Sequence, residues 1–399
     1  MKMDIDSLVR NEGHWNGVKQ RGFPHLRPVY FAWASIGATI EAASDEQIAA
    51  MRRSEGRSVH SVLELLEETE CHRRNIAQYL NAKPEEVFFH QNTTNALYAI
   101  LSLLLTEKML KAGDEILTTT KEFDTTLLSL GFLKDRYDIS TVFVEEGEEG
   151  KDGLVDAMKN AITPKTRAIL LSDVTFETCE RLPVEEVVKL AREYGIIPII
   201  DSAQSPGQIK FDAQAIGADY FATAGHKWMT GPLGTGMAVI RNPQLVNDPM
   251  LTLMEFSGDV FALPLEHLRQ LDRRTIEAFA DYGATEAYER FAGLSKAVDF
   301  HREVGDASFA RIRYLTEHFR AQLMQMPQVK ILTPTDAPTG MTSFTVEGEN
   351  QKQVVEHLDE KGFAVSHKPR SDLIRVATHY TNTTAELDAL CAELKAVAR

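Results

Sequence analysis

Short apolar runs alternate with longer stretches of helical periodicity between residues 84 and 240. The stretches at 96–105 and 184–194 repeat apolar side chains at helical spacing, whereas the short runs are typical of buried strands. Strands that alternate with helices predict a mainly parallel sheet covered by helices on both faces, which is an α/β fold. The predicted strands are residues 87–89, 115–117, 141–144, 168–171, 196–200, 219–224 and 236–240.

The C-terminal part of the chain has a different pattern. A long helical stretch at 285–326 precedes short predicted strands at 329–332 and 342–346, a helix at 353–361 and a strand at 374–377. This pattern predicts a smaller α+β domain. We therefore predict an N-terminal segment of residues 1–19, a large domain of residues 20–280 and a small domain of residues 281–399.

An acid and a lysine each follow one of the predicted strands. Asp201 ends the run 196–200, and Lys227 comes shortly after the run 219–224. Ligands of parallel sheets bind beyond the carboxyl ends of the strands, so both side chains can face one cofactor. Pyridoxal phosphate (PLP) needs this pair, because a lysine holds it as a Schiff base and an acid keeps its ring nitrogen protonated. Taken singly, Asp201 could be a helix N-cap and Lys227 a solvated lysine.

A polar turn, QNTTN at residues 91–95, follows a predicted strand and opens a helix. Free backbone N–H groups, the hydroxyls of Thr93 and Thr94 and the positive end of the helix can together bind a phosphate. The alternative is an ordinary capped helix N-terminus with Asn or Thr as the N-cap.

Composition and charge exclude several classes of partner. The chain has 399 residues, with 43 basic and 58 acidic side chains and a net charge of −15. Such a surface repels phosphate backbones and anionic lipid, so we expect neither a nucleic-acid nor a membrane partner. The three cysteines are far apart and odd in number, which predicts a reducing compartment and no disulfide or zinc framework. The first residues lack the apolar core of a signal peptide, so we expect a cytoplasmic protein.

The ordered motifs resemble the aminotransferase class V group of fold-type-I PLP enzymes. This group includes cysteine desulfurases, kynureninases, isopenicillin-N-epimerase-like proteins and several C–S lyases. The most specific motif is DSAQSPG at 201–207, together with His226, Lys227 and the pair Gly231 and Pro232. The resemblance extends from residue 29 to the C-terminus. It implies a three-layer PLP-dependent transferase fold with a smaller C-terminal domain, and a homodimer.

The resemblance also implies a role for each matching residue. Lys227 and Asp201 would be catalytic: Lys227 would form the Schiff base and later move the Cα proton, and Asp201 would pair with the pyridinium nitrogen. Arg375 would bind the substrate α-carboxylate, although a surface salt bridge is its alternative role. The further cofactor contacts would be Gln204 near the ring hydroxyl, Phe123 stacked on the ring, and His226, Thr93 and Thr94 at the phosphate, with Thr223 as a candidate there.

The chain departs from the family pattern at several places. Phe176 stands where many members have Asn, and Ala224 stands where many have Ser. Phe279 and Ala280 replace a Gly-Thr pair by which the neighbouring subunit reaches the phosphate. These departures leave open how the phosphate site is completed.

The loop at 364–372 contains no cysteine, although the desulfurase cysteine lies on this loop in that subfamily. Cys179 and Cys391 lie in other segments, so we do not expect a persulfide mechanism on this loop. The candidates for the substrate entrance are His367, Lys368 and Arg370, unless they form a solvated charged loop.

The resemblance implies an enzyme that acts on an α-amino acid through an external aldimine and Cα deprotonation. We expect aminotransfer or β-elimination of a C–S or other C–X bond. Epimerisation of the isopenicillin N type is an alternative, and a catalytically silent PLP-binding protein is an alternative of another class.

Overall fold

The computed structural model describes residues 4–26, 29–55, 60–145, 151–241 and 287–397. Its largest element is a seven-stranded sheet with strand order β2-β8-β7-β6-β5-β3-β4. Strands β3 to β7 run parallel, and β8 is antiparallel to both of its neighbours. The prediction of a mainly parallel sheet is therefore confirmed. The strands are β2 (Val87–His90), β3 (Glu115–Thr119), β4 (Ser140–Val144), β5 (Thr166–Ser172), β6 (Ile197–Asp201), β7 (Tyr220–Ala224) and β8 (Gly236–Ile240), preceded by β1 (Val29–Tyr30).

Helices cover both faces of this sheet. Successive side chains of a strand point to opposite faces, so β5 places Ile169 and Leu171 in one core and Ala168 and Leu170 in the other. Helices α4, α7 and α8 pack on the first face, and α5 and α6 on the second. The helices of this part of the chain are α4 (His60–Leu80), α5 (Thr93–Thr106), α6 (Asp124–Tyr137), α7 (Lys151–Ala161), α8 (Val184–Glu193) and α9 (Ala213–Ile216).

A second, four-stranded sheet lies in the C-terminal part, with the order β12-β13-β10-β9 and antiparallel pairing throughout. Its strands are β9 (Val329–Ile331), β10 (Met341–Val346), β12 (Ser366–Lys368) and β13 (Leu373–Ala377), and β11 (Phe363–Ala364) pairs with β1. Two helices occupy residues 289–323 in place of the one long stretch predicted, because Gly305 adopts a positive φ of 76° that ends the first helix. The helices here are α10 (Glu289–Val304), α11 (Ala307–Leu323), α12 (Gln351–Glu360) and α13 (Thr384–Val397).

The N-terminal helices connect the two sheets. These are α1 (Ile5–Val9), α2 (Glu12–Gly22) and α3 (Glu41–Glu55). Arg311 of α11 is buried and donates to the Val9 carbonyl over 2.8 Å and to Glu12 over 2.7 Å. Helix α10 adds Phe291 and Leu294 to the core of the large sheet. The predicted boundary at 280–281 lies outside the described residues, so the division into three segments stays a prediction.

The helices of the described ranges include none that is long and apolar enough to cross a membrane. Helix α5 is strongly apolar but has 14 residues, and a span needs about 20. Helix α4 has 21 residues but carries several charged side chains.

Candidate active site

A cavity of about 370 Å³ opens at the carboxyl ends of the parallel strands. Strands β5 and β6 end at this cavity, and the turns after β2 and β7 also reach it. The lining residues are Ala34, Ser35, Asn92, Thr93, Thr94, Leu97, Phe123, Thr125, Thr126, Ser172, Val174, Phe176, Asp201, Ala203, Gln204, His226, Lys227 and Lys368.

Asp201 is the last residue of β6 and is buried. One carboxylate oxygen accepts from the Ala203 N–H over 2.9 Å, and the other lies 3.5 Å from the Thr126 hydroxyl. Burial raises the pKa of Asp201, while the Ala203 N–H and the charge of Lys227 oppose that rise. The Asp201 carboxylate would therefore stabilise a protonated ring nitrogen. The positive charge of that nitrogen would in turn offset the free-energy cost of burying Asp201.

Lys227 comes from the turn that follows β7 and shares the cavity with Asp201. Burial lowers the pKa of Lys227 to about 8, with Asp201 acting against this change and Arg375 acting with it. With such a pKa, part of the Lys227 population is the neutral amine near neutral pH. The neutral amine is the form that acts as a nucleophile and as a base. Gly37 donates to the His226 carbonyl over 2.8 Å, and any Cβ at Gly37 would collide with the Lys227 backbone.

The start of α5 forms a site suited to a phosphate. Asn92 is the N-cap, and its side chain accepts from the Asn95 N–H. The Thr93 hydroxyl is buried without a hydrogen-bond partner, and the Thr94 hydroxyl lies 2.9 Å from that of Thr125. A phosphate would supply the acceptor that the Thr93 hydroxyl lacks, at the positive end of the helix.

His226 adds a ring nitrogen to the same cavity. Its Nδ1 donates to the Thr235 carbonyl over 2.9 Å, because a carbonyl can only accept. This bond leaves Nε2 for another partner. Burial lowers the pKa of His226, so the ring is mostly neutral near pH 7.

The remaining predicted cofactor residues differ in position. Gln204 lines the cavity, with its amide donating to the Ala34 carbonyl and accepting from Trp228, both over 2.9 Å. Thr223 is not brought to the cavity, since its hydroxyl donates to the Ser202 carbonyl over 3.0 Å. Ala224 is buried and adds no polar group. The predicted replacement at residues 279–280 lies outside the described residues.

Two aromatic side chains form one wall of the cavity. Phe123 precedes α6, and its ring meets that of Phe176 edge to face, with centroids 4.8 Å apart. Lys227 Nζ lies 5.9 Å from the Phe123 centroid, which brings the predicted stacking residue to the predicted Schiff-base lysine.

Arg375 lies in β13 directly behind this wall and is 1% exposed. It donates to the Phe176 carbonyl over 2.8 Å and to the Ser35 hydroxyl over 2.9 Å, while its Nε is buried without a partner. Burial lowers the pKa of Arg375 to about 10, so it stays charged at neutral pH. The alternative role in a surface salt bridge is wrong, because the side chain is buried.

Of the three charged candidates on the loop at 364–372, only Lys368 lines the cavity. His367 points to the other face of β12 and lies 2.8 Å from Asp372, and Arg370 is paired with Asp124 and Glu177. Burial lowers the pKa of Lys368 to about 7, and the charge of Arg375 adds to this effect. The alternation of side chains along a strand was the signal that could have separated Lys368 from its neighbours.

Glu122 is a buried acid that was not among the predicted site residues. It follows β3 and accepts from the Ser172 hydroxyl and, over 3.0 Å, from the Thr119 hydroxyl. Burial raises the pKa of Glu122 to about 7, and the nearby charge of Asp201 raises it further. The available signal was an acid at the carboxyl end of a strand, next to Phe123, the predicted stacking residue.

All three cysteines are free thiols, and none lines the cavity. Cys179 is fully buried, with Sγ 3.1 Å from the Ser343 hydroxyl, and burial raises its pKa. Cys391 lies in the core of the small sheet, and Cys71 is exposed.

A known family and several known proteins are similar to this chain over most of its length. The sequence model of the Aminotransferase class-V family matches residues 32–390. A probable cysteine desulfurase of Methanothermobacter thermautotrophicus is 26% identical, over 95% of this chain and 97% of the relative. An isopenicillin N epimerase of Amycolatopsis lactamdurans is 25% identical, over 82% and 84% of the two chains.

Solved structures agree on the fold. The cystine C–S lyase C-DES, in complex with cysteine persulfide, has a TM-score of 0.76 at 23% identity, over 92% of this chain and 97% of that chain. An apo cysteine desulfurase of Thermococcus onnurineus has a TM-score of 0.78 at 21% identity, over 96% and 97%. Another structure of C-DES contains glycine linked covalently to its PLP cofactor. At these identities the likeness establishes the fold.

The predicted cofactor fits the residues present, because the orphaned Thr93 hydroxyl, the buried Asp201 and the perturbed Lys227 lie around one cavity. The prediction of PLP is confirmed by the family match. The resemblance inferred from the motifs is also confirmed. The chain belongs to the Aminotransferase class-V family.

Proposed function

We propose that the protein is a PLP-dependent enzyme that removes the Cα proton of an α-amino acid and carries out aminotransfer or β-elimination. One observation carries the proposal: Lys227 and Asp201 face a single cavity from two neighbouring strands, with Arg375 directly behind its wall. Such a lysine, acid and guanidinium are the groups that this chemistry requires.

Bound PLP supplies an aromatic ring that withdraws electrons from the substrate Cα. Asp201 stabilises the positive charge at the ring nitrogen. Arg375 and the Ser35 hydroxyl hold the α-carboxylate and so orient the Cα–H bond. Lys227 Nζ, with its pKa lowered to about 8, takes the proton from Cα and returns it to another atom.

The fate of that proton separates the reactions. In aminotransfer Lys227 would pass the proton to the cofactor side of the substrate, and in β-elimination Lys227 would pass it to the leaving group at Cβ. A persulfide step of the desulfurase type is not part of the proposal. Residues 364–372 contain no cysteine, and Cys179 is fully buried with a raised pKa.

Absorbance spectroscopy of the purified protein tests the proposal. We expect a cofactor absorption band that is lost in Lys227→Ala and kept in Lys189→Ala, which replaces an exposed lysine. Protein that neither carries PLP nor takes it up would contradict the cofactor assignment. A band that no amino acid alters would instead indicate a silent PLP-binding protein.

A panel of α-amino acids and S-conjugates then identifies the reaction. Keto acid without ammonia indicates aminotransfer, and pyruvate with ammonia indicates β-elimination. Loss of chirality with neither product would indicate epimerisation and would overturn the proposed reaction.

The homodimer and the cytoplasmic location stay predictions. The homodimer rests on the family resemblance, and light scattering after size exclusion would test it. A monomeric holoenzyme with full activity would contradict it.

A further inference from the structure

Two cations of the small sheet share one neutral hydrogen-bond acceptor. Arg375 Nη2 donates to Ser35 Oγ over 2.9 Å, and Lys368 Nζ donates to the same oxygen over 3.2 Å. The distance between Arg375 Nη2 and Lys368 Nζ is therefore at most the sum of these two hydrogen-bond distances. Two like charges surround a hydroxyl that offsets neither of them.

The pairing of β12 and β13 explains why both side chains reach this place. Ser366 lies opposite Arg375, and Lys368 lies opposite Leu373. Alternate residues of a strand share a face, so Lys368 projects on the face that Arg375 occupies. Lys368 is 8% exposed and lines the cavity, whereas Arg375 lies behind Ser35.

In the described part of the chain, no acid lies within ion-pair distance of either cation. The carboxylate whose charge reaches both is Glu177, beside the Cys179 thiol; its Oε2 accepts from Arg370 and Ser371, and its Oε1 is buried without a hydrogen-bond partner. The Phe176 ring gives each cation a weak attraction, at 4.9 Å from Lys368 Nζ and 5.0 Å from Arg375 Cζ. The pair is thus held in place without a counter-charge.

A substrate with one carboxylate would offset one of these charges and leave the other enclosed. An enclosed cation without a partner is costly, so a second anion on the same substrate would be bound favourably. We propose that Lys368 determines specificity by binding the side-chain anion of an acidic α-amino acid, next to the α-carboxylate held by Arg375. The identity of the α-carboxylate site rests on the proposed function.

The short separation of the two cations limits the length of the substrate. Both reach the same oxygen, so the two anions must be close together, as in amino acids with a short side chain ending in a carboxylate or a sulfinate. Lys227 would be occupied by the cofactor in the proposed function, and the charge of Asp201 acts on it, so Lys227 is not the partner of the second anion.

Calorimetric binding of two unreactive acids to the holoenzyme tests the anion site without turnover. Succinate carries two carboxylates and propionate carries one. We expect succinate to bind about 10- to 100-fold more tightly, which is the range for a hydrogen bond to a charged group. Lys368→Met should abolish this preference, Lys368→Arg should restore most of it, and Lys361→Met, which replaces an exposed lysine, should leave it unchanged.

Kinetics with amino acids give the second measurement. Lys368→Met should lower kcat/KM for aspartate and cysteine sulfinate by about 10- to 100-fold and change that for alanine and 2-aminobutyrate by less than about threefold. Thermal denaturation checks that the variant is folded, and Lys368→Gln replaces it if it is not.

The inference would be overturned if Lys368→Met lowered kcat/KM equally for acidic and neutral substrates and the wild-type holoenzyme bound succinate no more tightly than propionate. Both cations would then bind the same carboxylate. If no amino acid alters the cofactor band but succinate still binds in a Lys368-dependent way, the proposed function fails and the second-anion site stands.

Discussion

The two walls of the cavity differ in their balance of charge. On the wall from the seven-stranded sheet, Lys227 and Asp201 carry opposite charges that act on each other without forming an ion pair. On the wall from the four-stranded sheet, Lys368 and Arg375 surround Ser35 with no acid in ion-pair distance among the described residues. The first wall, with Lys227 and Asp201, is named the cofactor wall, because it suits a cofactor that must be held and made electron-poor. We propose that the second wall, the substrate wall, binds the substrate anions, so that the chemistry and the choice of substrate would come from different sheets.

The largest expected effect is on the cofactor wall. Asp201→Asn keeps the shape of the side chain but removes the charge that stabilises a protonated ring nitrogen. We expect kcat to fall by about 10²- to 10⁴-fold for every amino acid, with bound PLP retained. Rapid-mixing spectroscopy would measure the rate of the Cα-deprotonation step.

Asp173→Asn is the matched control, because Asp173 is another buried acid that does not line the cavity. It should leave the Cα-deprotonation step within about threefold of the wild type. Equal rates for Asp201→Asn and the wild type would remove Asp201 from the mechanism.

The next effect separates the two cations of the substrate wall. Arg375→Leu should raise KM by about 10²-fold for acidic and neutral amino acids alike, because it removes the partner of the α-carboxylate. Lys368→Met should affect acidic substrates alone. Steady-state kinetics of both variants would measure this contrast, with Arg313→Leu, an exposed arginine, as the control. A loss confined to acidic substrates in Arg375→Leu would reverse the two roles.

A smaller effect is expected at the phosphate end of the cofactor wall. Thr93→Val removes the orphaned hydroxyl without opening a cavity. We expect PLP to bind about 10- to 30-fold more weakly, because a hydrogen bond to a charged acceptor is lost. Fluorescence titration of the apoenzyme with PLP would measure the dissociation constant of each variant. Thr106→Val, at the far end of α5, should bind PLP as the wild type does, and an unchanged constant in Thr93→Val would exclude this phosphate contact.

The smallest effect is a pH dependence of the substrate wall. Burial lowers the pKa of Lys368 to about 7, so Lys368 is a cation below this pH and a neutral amine above it. A bound anion raises that pKa. The preference for succinate over propionate should therefore fall about tenfold between about pH 6.5 and 9. The charged and titratable groups that face Lys368 are Arg375, Lys227, Glu177 and the Cys179 thiol.

Calorimetry at several pH values would measure this fall. Arg375 stays charged across the range, since its pKa is about 10, and the thiol of Cys179 has a raised pKa. The Lys368→Arg variant should lose most of this fall, because arginine does not titrate there and Lys227, with a pKa of about 8, is the facing group that still does. A fall of the same size in that variant would assign the titration to another group.

Much of the large sheet was predictable from the sequence. Buried parallel strands are continuous apolar runs, and they occur within one or two residues of the predicted positions, as at Ile197–Asp201 and Tyr220–Ala224. The candidates Asp201 and Lys227 were found because they follow such runs, and parallel strands bring their ends to one edge. The start of α5 was found for the same reason, with Asn92 as its cap.

The loop at 364–372 could not be interpreted in the same way. Its charged residues lie close together in sequence, yet the alternation of β12 sends Lys368 into the cavity and His367 to the other face. Arg370 is removed from the cavity by Asp124 and Glu177, which are distant in sequence. Thr223 was a candidate to replace the Ser that many family members have at the position of Ala224, but its hydroxyl donates to the Ser202 carbonyl.

The sequence by itself determined the family, the parallel sheet and the Lys227–Asp201 pair, because local periodicity and strand ends leave signals in neighbouring residues. Only the tertiary structure decided which cations share the cavity. Ser35, Lys368 and Arg375 meet through the packing of an N-terminal segment on the small sheet, and contacts between residues so far apart leave no local pattern. Burial, which sets the pKa of Lys227 and Lys368, likewise exists only once the two sheets have packed together.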